Sequence, residues 1–424
     1  MEKMKLKDGI NLFMIKDEKF KSFRASVIIH RPLDKKEVTL NTLTAAVLRM
    51  QSENFPSAQE ISEELELLYG GDLIARAGKY GERQLIKIGV QTVSDKALGE
   101  EGNFERAMNL LSDIVFRAGT GNSFSKNVTE LEKKNIKDAI LAQKNDKRSY
   151  SVLRLQEEMC KDEPYGINSL GYIEDLEKIT PEELYCHYKK ILKESRIDIV
   201  FTGNFDCRKA EQAGKEFVDS LKGREGEKIS EKYCAQKGEV KVITDKMDIT
   251  QGKMCLGFRS AEGSSREKYP AMVVYNSIFG GSAVSKLFEN VREKLSLCYY
   301  VGSSIDRLKE IMVVRSGVDT ENFSVAYDEI LRQQELMKNG DFTDNEIDFA
   351  KKQIVNAYNS AYDSISSVEE FYIMQLILGT DESIDSMCRK ISEVTREEIT
   401  EAANSMVLDT VYYMDRVTES FCHP

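Results

Sequence analysis

The chain has 424 residues, of which 41% are hydrophobic and 31% are charged, as is typical of a folded globular protein. This length exceeds what one hydrophobic core usually supports, so we expect two domains of ordinary size. The net charge of −11 argues against nucleic-acid binding, because neutralising phosphates requires a basic surface. The one basic segment, residues 133–148, is better interpreted as a solvated helix face.

The local patterns in chain order predict alternating strands and helices. "RASVIIHRP" (Arg24–Pro32) and "RIDIVFTGNF" (Arg196–Phe205) are short apolar runs that end in turn residues, as buried strands do. In "SAQEISEELELLYGGDL" (Ser57–Leu73) the first serine and the glutamate three residues later form a capping box, and two glycines end the helix. "ITPEELYCHYKK" begins with Thr180 as an N-cap, followed by Pro181 in the first turn. Mixed strands and helices indicate an α+β fold.

Three segments of the first half recur in the same order in the second half: residues 14–31 in 242–259, 124–140 in 342–358, and 179–205 in 394–417. The offsets are similar, at 228 (242 − 14), 218 (342 − 124) and 215 (394 − 179) residues. The sequence therefore predicts a tandem duplication: two homologous domains, each a mixed, mainly antiparallel sheet packed against helices. We place them at residues 1–220 and 240–424, with a linker at 221–239 that is rich in charge and glycine.

The cysteines and the N-terminus bear on the cellular compartment. The eight cysteines are widely spaced and contain no C-x-x-C pair, so reduced thiols are the simplest interpretation. The first residues lack the apolar core of a signal peptide, and no later run approaches about 18 apolar residues. We expect a cytoplasmic protein that does not span a membrane.

The chain contains three histidines: His30, His187 and His423. His30 ends an apolar strand and is expected in the core or at an edge. Glu183 and His187 are four residues apart on a predicted helix and could share a metal, but an exposed helix pair is favoured because no third ligand is near. His423 lies in the terminal tail, which we expect to be disordered.

The segment "LFENVREKLSLCYY" (Leu287–Tyr300) has two interpretations. Periodicity alone favours a structural one. Arg292 would solvate an amphipathic helix, and Tyr299 would pack inside the protein. The apolar stripe of that helix would comprise Leu287, Phe288, Val291 and Leu295. Tyr300 would lie on the opposite face of the following strand.

Two longer motifs carry a family resemblance. "SAQEISEELELLYGGDL" in the first half and "FGGSAVSKLFENVREKLSLCYYVGSS" (Phe279–Ser304) in the second resemble the pitrilysin, insulinase and mitochondrial processing peptidase family. The resemblance covers nearly the whole chain. It implies two similar α+β domains per chain and pairs of such chains that enclose a peptide-sized chamber. Peptidases of this family carry H-x-x-E-H on a helix of the first domain, where two histidines bind zinc and the glutamate activates a water molecule.

This sequence departs from the family pattern at the metal motif. The five matching positions read Ala45, Ala46, Val47, Leu48 and Arg49, and none of these is a usual zinc ligand. A further family glutamate would fall near Asp138 or Ala139, and the alignment does not choose between them. We therefore expect no cofactor and no metal in this chain.

The resemblance gives Arg292 and Tyr299 a second role, because family members use an arginine and a tyrosine at these places to hydrogen-bond the substrate backbone. A guanidinium and a phenol are suitable donors for a polarised carbonyl. The motif is intact here, so we favour this interpretation, with Tyr300 as the weaker candidate. By the same analogy, a substrate peptide would add to an edge strand formed by Asp72–Gly78.

The sequence thus predicts a non-catalytic, substrate-positioning subunit of a heterodimeric zinc metallopeptidase that processes or degrades peptides. The partner would be a zinc-bearing homologue, and the isolated chain would form a homodimer if it self-associates. The chain also resembles the zinc-free bacterial members named for association with elongation factor P modification. The alternatives are a structural or chaperone-like scaffold without proteolysis and, with no visible ligand set, an independent zinc peptidase.

Overall fold

A computed structural model describes residues 1–119, 121–219, 221, 238–260 and 268–417. The strands are β1 (Glu2–Lys7), β2 (Ile10–Lys16), β3 (Ser22–Pro32), β4 (Asp72–Tyr80), β5 (Arg83–Val93), β6 (Arg196–Gly203), β7 (Lys241–Met247), β8 (Lys253–Ser260), β9 (Cys298–Asp306), β10 (Ile311–Val318) and β11 (Met406–Arg416).

The helices of the first half are α1 (Val38–Leu48), α2 (Ala58–Leu67), α3 (Asp95–Leu98), α4 (Asn103–Phe116), α5 (Lys126–Ala142), α6 (Lys147–Met159), α7 (Ile173–Leu176), α8 (Pro181–Glu194) and α9 (Cys207–Asp219). Those of the second half are α10 (Tyr269–Asn276), α11 (Phe323–Lys338), α12 (Asp344–Ala361), α13 (Ile365–Leu378), α14 (Ile384–Glu393) and α15 (Arg396–Ser405). Two π-helical segments, Ser277–Gly281 and Phe288–Lys294, lie between α10 and β9.

The described residues form two units. Unit 1 comprises 1–119, 121–142, 167–219, 221 and 362–381, and unit 2 comprises 143–166, 238–260, 268–361 and 382–417. The predicted boundaries at 1–220 and 240–424 follow the order of the repeats, whereas the units exchange α6 and α13. The exchange arises because α6 packs on β8 and β11, and α13 packs on β6. The predicted linker, apart from residues 221, 238 and 239, lies outside the described residues.

Each unit contains one mixed sheet with the same arrangement. The strand order is β1-β2-β6-β3-β5-β4 in unit 1 and β7-β11-β8-β10-β9 in unit 2. β2 pairs in parallel with β6, β7 pairs in parallel with β11, and the remaining pairs are antiparallel. The sheets therefore match strand for strand from β2 and β7 onward, which confirms the α+β fold class and its two similar domains.

The segments that recur in the sequence lie on corresponding elements. Thr180 caps α8 and Thr395 caps α15, and each threonine hydroxyl accepts a hydrogen bond from the backbone N–H three residues later. The matching elements continue into β6 and β11, and the middle pair of repeats forms α5 and α12. Ser57 and Glu60 make the predicted capping box at the start of α2. Local capping chemistry thus sets the same helix boundaries in both repeats.

Each exchanged segment carries or adjoins a carboxylate, at most 9% exposed, that pairs with basic residues of its unit. In unit 1, Glu369 of α13 is paired with Lys87 of β5, and its Oε2 lies 3.3 Å from Nη1 of Arg24 on β3. In unit 2, Glu163, just after α6, lies 2.7 Å from Arg259 of β8 and 3.0 Å from Lys309. Both units therefore use an arginine and a lysine to neutralise a carboxylate of the exchanged segment.

Within the described ranges, none of the helices combines the length and apolar character that crossing a membrane would require.

Candidate functional site

Helix α1 carries the positions where zinc-dependent relatives would have their metal motif. Ala45 is 1% exposed and Leu48 is fully buried, and both belong to the hydrophobic core of unit 1. Ala46 is half-buried, whereas Arg49 is exposed and forms the C-cap of the helix. These side chains provide apolar packing and one cation instead of ligand atoms.

Helix α5 is where the sequence left two candidates for the further glutamate. Asp138 and Ala139 are both exposed, and the buried carboxylate of this helix is Glu132 instead. Burial raises the pKa of Glu132, and the nearby positive charge of Arg49 acts in the opposite direction. Position 132 was missed because an isolated glutamate in a lysine-rich helix has no sequence signal for burial.

These residues do not fit a catalytic zinc ion. Zinc requires histidine, cysteine or carboxylate ligands arranged around one point, and α1 supplies none at the motif positions. Within the part of the chain that the structure describes, one group of three such side chains could meet at a common ion: Asp95, Glu101 and Glu105. The ammonium of Lys209 lies 2.6–3.2 Å from these three carboxylates and neutralises them.

The described histidines have structural surroundings. His30 was expected in the core or at an edge, and it is buried in β3. Its Nε2 lies 2.9 Å from Oδ2 of Asp198. Burial lowers the pKa of His30, and the ion pair with Asp198 opposes this shift. His423 lies outside the described residues.

The prediction of an exposed Glu183–His187 pair is wrong. Glu183 is exposed, but His187 is buried, and its Nε2 lies 2.7 Å from Oδ1 of Asn41 in α1. The Asn41 amide in turn donates to Gln84 of β5 at 2.9 Å. Burial lowers the pKa of His187 to about 4, so the neutral ring is part of a hydrogen-bonded chain inside unit 1.

Arg292 lies on the second π-helical segment, Phe288–Lys294, which corrects the expected α-helix. The wider winding is visible where the N–H of Leu295 donates to the carbonyl of Asn290, five residues earlier, at 3.2 Å. π-Helical turns are rare and occur frequently at functional sites. Leu295, predicted in the apolar stripe, is exposed.

The guanidinium of Arg292 is held at the surface of unit 2. It stacks on the ring of Phe288, with 4.6 Å between its Cζ and the ring centroid. Its Nε lies 3.5 Å from Glu293, and the side chain is 42% exposed. A stacked guanidinium is oriented yet keeps N–H donors available, so Arg292 can donate to a bound carbonyl.

Tyr299 lies at a β-bulge in β9, one of the two edge strands of its described sheet. Cys298 pairs with Val318 and Tyr300 pairs with Gly317, so Tyr299 is the extra residue between two consecutive pairs. The bulge directs its side chain outward, and Tyr299 is 71% exposed. The interpretation in which Tyr299 packs inside is therefore wrong, because a bulge changes the side-chain direction that strict alternation would give.

Tyr300, the residue after the bulge, packs within unit 2. Its ring lies over Gly317, where an added Cβ would come within 2.5 Å of it, and the guanidinium of Arg148 stacks on the ring at 4.2 Å. The hydroxyl of Ser316 donates to the carbonyl of Tyr300 at 3.1 Å. Burial raises the pKa of this phenol. Tyr300 is thus a packing residue that fixes its neighbour.

The backbone between Arg292 and Tyr299 has one further irregularity. Ser296 has a φ of +51°, a left-handed conformation that is unfavourable for serine. A π-helix, a left-handed serine and a β-bulge therefore occur within one short segment. Such strained features persist where the surrounding structure enforces them, and they concentrate at functional sites.

The double glycine before this segment permits close packing on β9. A Cβ at Gly280 would lie 2.6 Å from the hydroxyl of Ser303 and 2.8 Å from Leu287. Only glycine allows this approach, which brings the π-helical region against the strand that carries Tyr299. The sequence signal for this contact was the glycine pair itself.

Strand β4 is one of the two edge strands of the described unit 1 sheet and includes the segment Asp72–Gly78 that was expected to receive a peptide. Leu73, Ala75 and Ala77 pack toward the core on the α1 side. An unpaired edge offers N–H and C=O groups to an added strand. The two units thus present corresponding edge strands, β4 and β9, of which β9 carries the tyrosine.

Comparison with known proteins identifies relatives of this chain. Residues 178–354 match the family described as the peptidase M16 inactive domain. The chain is 33% identical over 408 residues to the probable inactive metalloprotease YmfF of Bacillus subtilis, and the match covers 96% of each chain.

Two solved structures are similar over nearly their whole length. A conserved protein from Enterococcus faecalis V583 superimposes with a TM-score of 0.91 at 28% identity, covering 99% of both chains. A peptidase M16 inactive domain from Pseudomonas fluorescens gives a TM-score of 0.82 at 18% identity, covering 98% of both chains, which shows a shared fold.

Proposed function

Because the chain belongs to the peptidase M16 family, as a member without the zinc motif, we propose that it is the substrate-positioning subunit of a two-chain zinc peptidase. One observation carries this proposal: Arg292 and Tyr299 remain exposed and are held by irregular backbone, although α1 has no metal ligands. Strain of this kind costs of order 1–3 kcal/mol per residue. A chain with a purely structural role would become more stable if this backbone strain were removed.

In this proposal the two chains divide the chemistry. A homologous partner would hold zinc, which supplies the activated water. Arg292 would donate hydrogen bonds from its stacked guanidinium to a substrate carbonyl, and the Tyr299 phenol would add a second donor. Fixed donors of this kind stabilise the negative charge that develops on a carbonyl oxygen during peptide hydrolysis.

The substrate would be an extended peptide paired with β4. Pairing along a sheet edge fixes the peptide backbone without selecting a sequence, since main-chain groups form the hydrogen bonds. The assignment to the type associated with elongation factor P modification, the cytoplasmic location and the identity of the partner remain predictions.

The test is reconstitution with the zinc-bearing homologue from the same organism. Peptide cleavage by the mixture is measured with internally quenched peptides, for the wild-type chain and for the Arg292→Ala and Tyr299→Phe variants. We expect kcat/KM to fall about 100-fold for Arg292→Ala and about 10-fold for Tyr299→Phe, as for the removal of one transition-state donor. Binding of the two chains is followed separately by analytical ultracentrifugation.

Two exposed side chains serve as matched controls. Arg332, paired with Glu329 at 2.8 Å, is a solvated arginine on α11 of the same unit, and Tyr69 is an exposed tyrosine of unit 1. Arg332→Ala and Tyr69→Phe should leave the rate unchanged. Unchanged rates for Arg292→Ala and Tyr299→Phe in a complex that cleaves peptides would support the scaffold alternative instead. Zinc-dependent cleavage by the isolated chain would overturn both.

A further inference from the structure

A cavity of about 230 Å³ lies beside the edge strand β4, entirely within unit 1. Its apolar walls are formed by Ile28, Leu85 and Ile373, and Arg76 and Lys87 also line it. Drug-sized ligands occupy pockets of roughly 300–1,000 Å³. The cavity is therefore suited to one side chain of a larger molecule.

The register of the sheet places the cavity on one face. Arg76 of β4 pairs with Lys87 of β5, which pairs with Ile28 of β3, and Gly78 pairs with Leu85 in the next row. Directly paired residues share a face. This is the face covered by α13, whose Ile373 lines the cavity, and it is opposite the side on which Leu73 and Ala75 pack into the core.

Glycine at position 78 leaves the cavity open. A Cβ added there would meet only Tyr80, at 3.4 Å, which is an ordinary contact distance. The position therefore tolerates a side chain on steric grounds, and the absence of one leaves space between the strand edge and α13. In an added strand, every second side chain would point to this face.

The charges around the cavity favour an acidic occupant. Lys87 and Arg24 share the buried carboxylate of Glu369. Arg76 lies 3.8 Å from Glu370, which also accepts a hydrogen bond from the hydroxyl of Tyr80 and lies 4.0 Å from Lys87. In these contacts, three cations share two carboxylates. The side chain of Arg76 is 61% exposed, so this excess positive charge lies at the cavity mouth.

We propose that this cavity is a specificity pocket for an acidic side chain, aspartate or glutamate, of an extended peptide paired with β4. The inference rests on the proposed role of β4 as the strand that receives substrate. The carboxylate would bind the Arg76 guanidinium, and the aliphatic part of the side chain would pack against Ile28, Leu85 and Ile373. Charge-assisted hydrogen bonds of this kind contribute more than neutral ones.

The test is a peptide titration with the isolated chain. Nine-residue peptides that carry an uncharged fluorophore, and are otherwise uncharged, contain Glu, Gln or Lys at one position at a time. Binding is measured by fluorescence anisotropy at low salt. Glu at alternate positions should bind about 10-fold tighter than Gln at the same positions, the ratio expected for a hydrogen bond to a charged group.

Two variants, Arg76→Glu and Gly78→Val, test whether the preference for Glu peptides arises at this cavity. Arg76→Glu should reverse it, so that Lys peptides bind tighter than Glu peptides. The control is Arg117→Glu, since Arg117 has a similar exposure of 56% and a similar pair distance of 3.7 Å to Asp113. Gly78→Val should fill the cavity and remove the difference between Glu and Gln while neutral peptides still bind. If Gly78→Val fails to fold, as judged by circular dichroism, the surface variant Arg76→Glu decides the question.

The outcomes separate this inference from the proposed function. Equal affinity for Glu and Gln peptides, or an unchanged preference in Arg76→Glu, would overturn the pocket and leave the subunit role intact. Absence of binding by every peptide would overturn both the pocket and strand addition at β4. The Arg292 and Tyr299 rates test the subunit role independently, because the titration contains no partner.

Discussion

The two units have corresponding sheets, but they differ at the positions that the family resemblance assigns to a peptidase site. In unit 1, the helix that would carry zinc ligands packs Ala45 and Leu48 into the core. In unit 2, Arg292 and Tyr299 remain exposed on a π-helix and a β-bulge. Residues that pack into a core add stability, whereas strained, exposed residues cost it. This contrast supports the proposal that Arg292 and Tyr299 bind substrate, whereas the motif positions of α1 serve packing.

The largest effect is expected from restoring the metal motif in unit 1. The triple variant Ala45→His, Leu48→Glu and Arg49→His should lose more than about 4 kcal/mol of unfolding free energy, because two polar side chains would enter an apolar core. Urea denaturation measures the loss, and metal analysis should find no tightly bound zinc. The exposed Arg49→His substitution alone should change stability by less than about 1 kcal/mol. A stable triple variant with one zinc ion per chain would contradict this account of α1.

The second prediction compares the anchors of the exchanged segments. Glu369→Ala should cost about 3–5 kcal/mol, because Arg24 loses this ion pair and Lys87 is left with the more distant Glu370 at 4.0 Å. Glu163→Ala should cost less, since Arg259 keeps Asp409 at 3.0 Å. Chemical denaturation of both variants gives the comparison. Equal losses would show that the second carboxylate in unit 2 does not compensate.

The third prediction concerns pH and belongs to unit 1. With the pKa of His187 lowered to about 4 by burial, the unfolded chain binds a proton below about pH 6.5 that the folded chain does not. Stability should therefore fall by up to about 3 kcal/mol between pH 6.5 and 4. His187→Gln, which can still donate to Asn41, should flatten this slope in denaturation curves measured across the range.

The corresponding position in unit 2 does not contribute to this pH effect. Counting by the offset of 215 residues (402 − 187), His187 corresponds to Ala402, a buried residue of α15 that cannot titrate. An identical pH slope in wild type and His187→Gln would mean that other groups cause the acid sensitivity.

The smallest effect is expected at two glycines, Gly317 on β10, which pairs with the edge strand β9, and Gly78 on the edge strand β4. Gly317→Ala places a Cβ 2.5 Å from the Tyr300 ring and should cost about 1–3 kcal/mol by overpacking. It should also lower the peptidase rate of a reconstituted complex, because the bulge that directs Tyr299 is disturbed. Gly78→Ala, whose Cβ meets Tyr80 at 3.4 Å, is the control and should be nearly neutral in thermal denaturation. A destabilised Gly317→Ala chain with an unchanged rate would remove the bulge from the proposed mechanism.

The pattern of success among the sequence predictions has a physical basis. The capping residues Ser57 and Thr180, the repeated elements and the fold class depend on local chemistry and on periodicity, and these were correct. His187 was misplaced because helical spacing does not show which face meets a neighbour. The burial of Glu132 was missed for the same reason.

The candidate site also combines features that the sequence predicts with features that depend on tertiary contacts. Arg292 and Tyr299 were identified by a motif, but the π-helix and the bulge that expose them have no pattern in the sequence, because both depend on how β9 packs against β10 and the double glycine. Tyr300 was the weaker candidate for substrate binding. Its contacts with Gly317 and Arg148 identify it as a packing residue instead.

The sequence by itself determined that this chain contains two related α+β halves and that no usual zinc ligand occupies the motif positions, since composition, repeats and local propensities are properties of the chain. Only the tertiary structure decided that α6 and α13 are exchanged between the units, that His187 is buried and that a cavity lies beside β4. These features arise from contacts between residues distant in the chain, such as Glu369 with Lys87. Such contacts are selected by packing and charge neutralisation in the folded state, and no short segment encodes them alone.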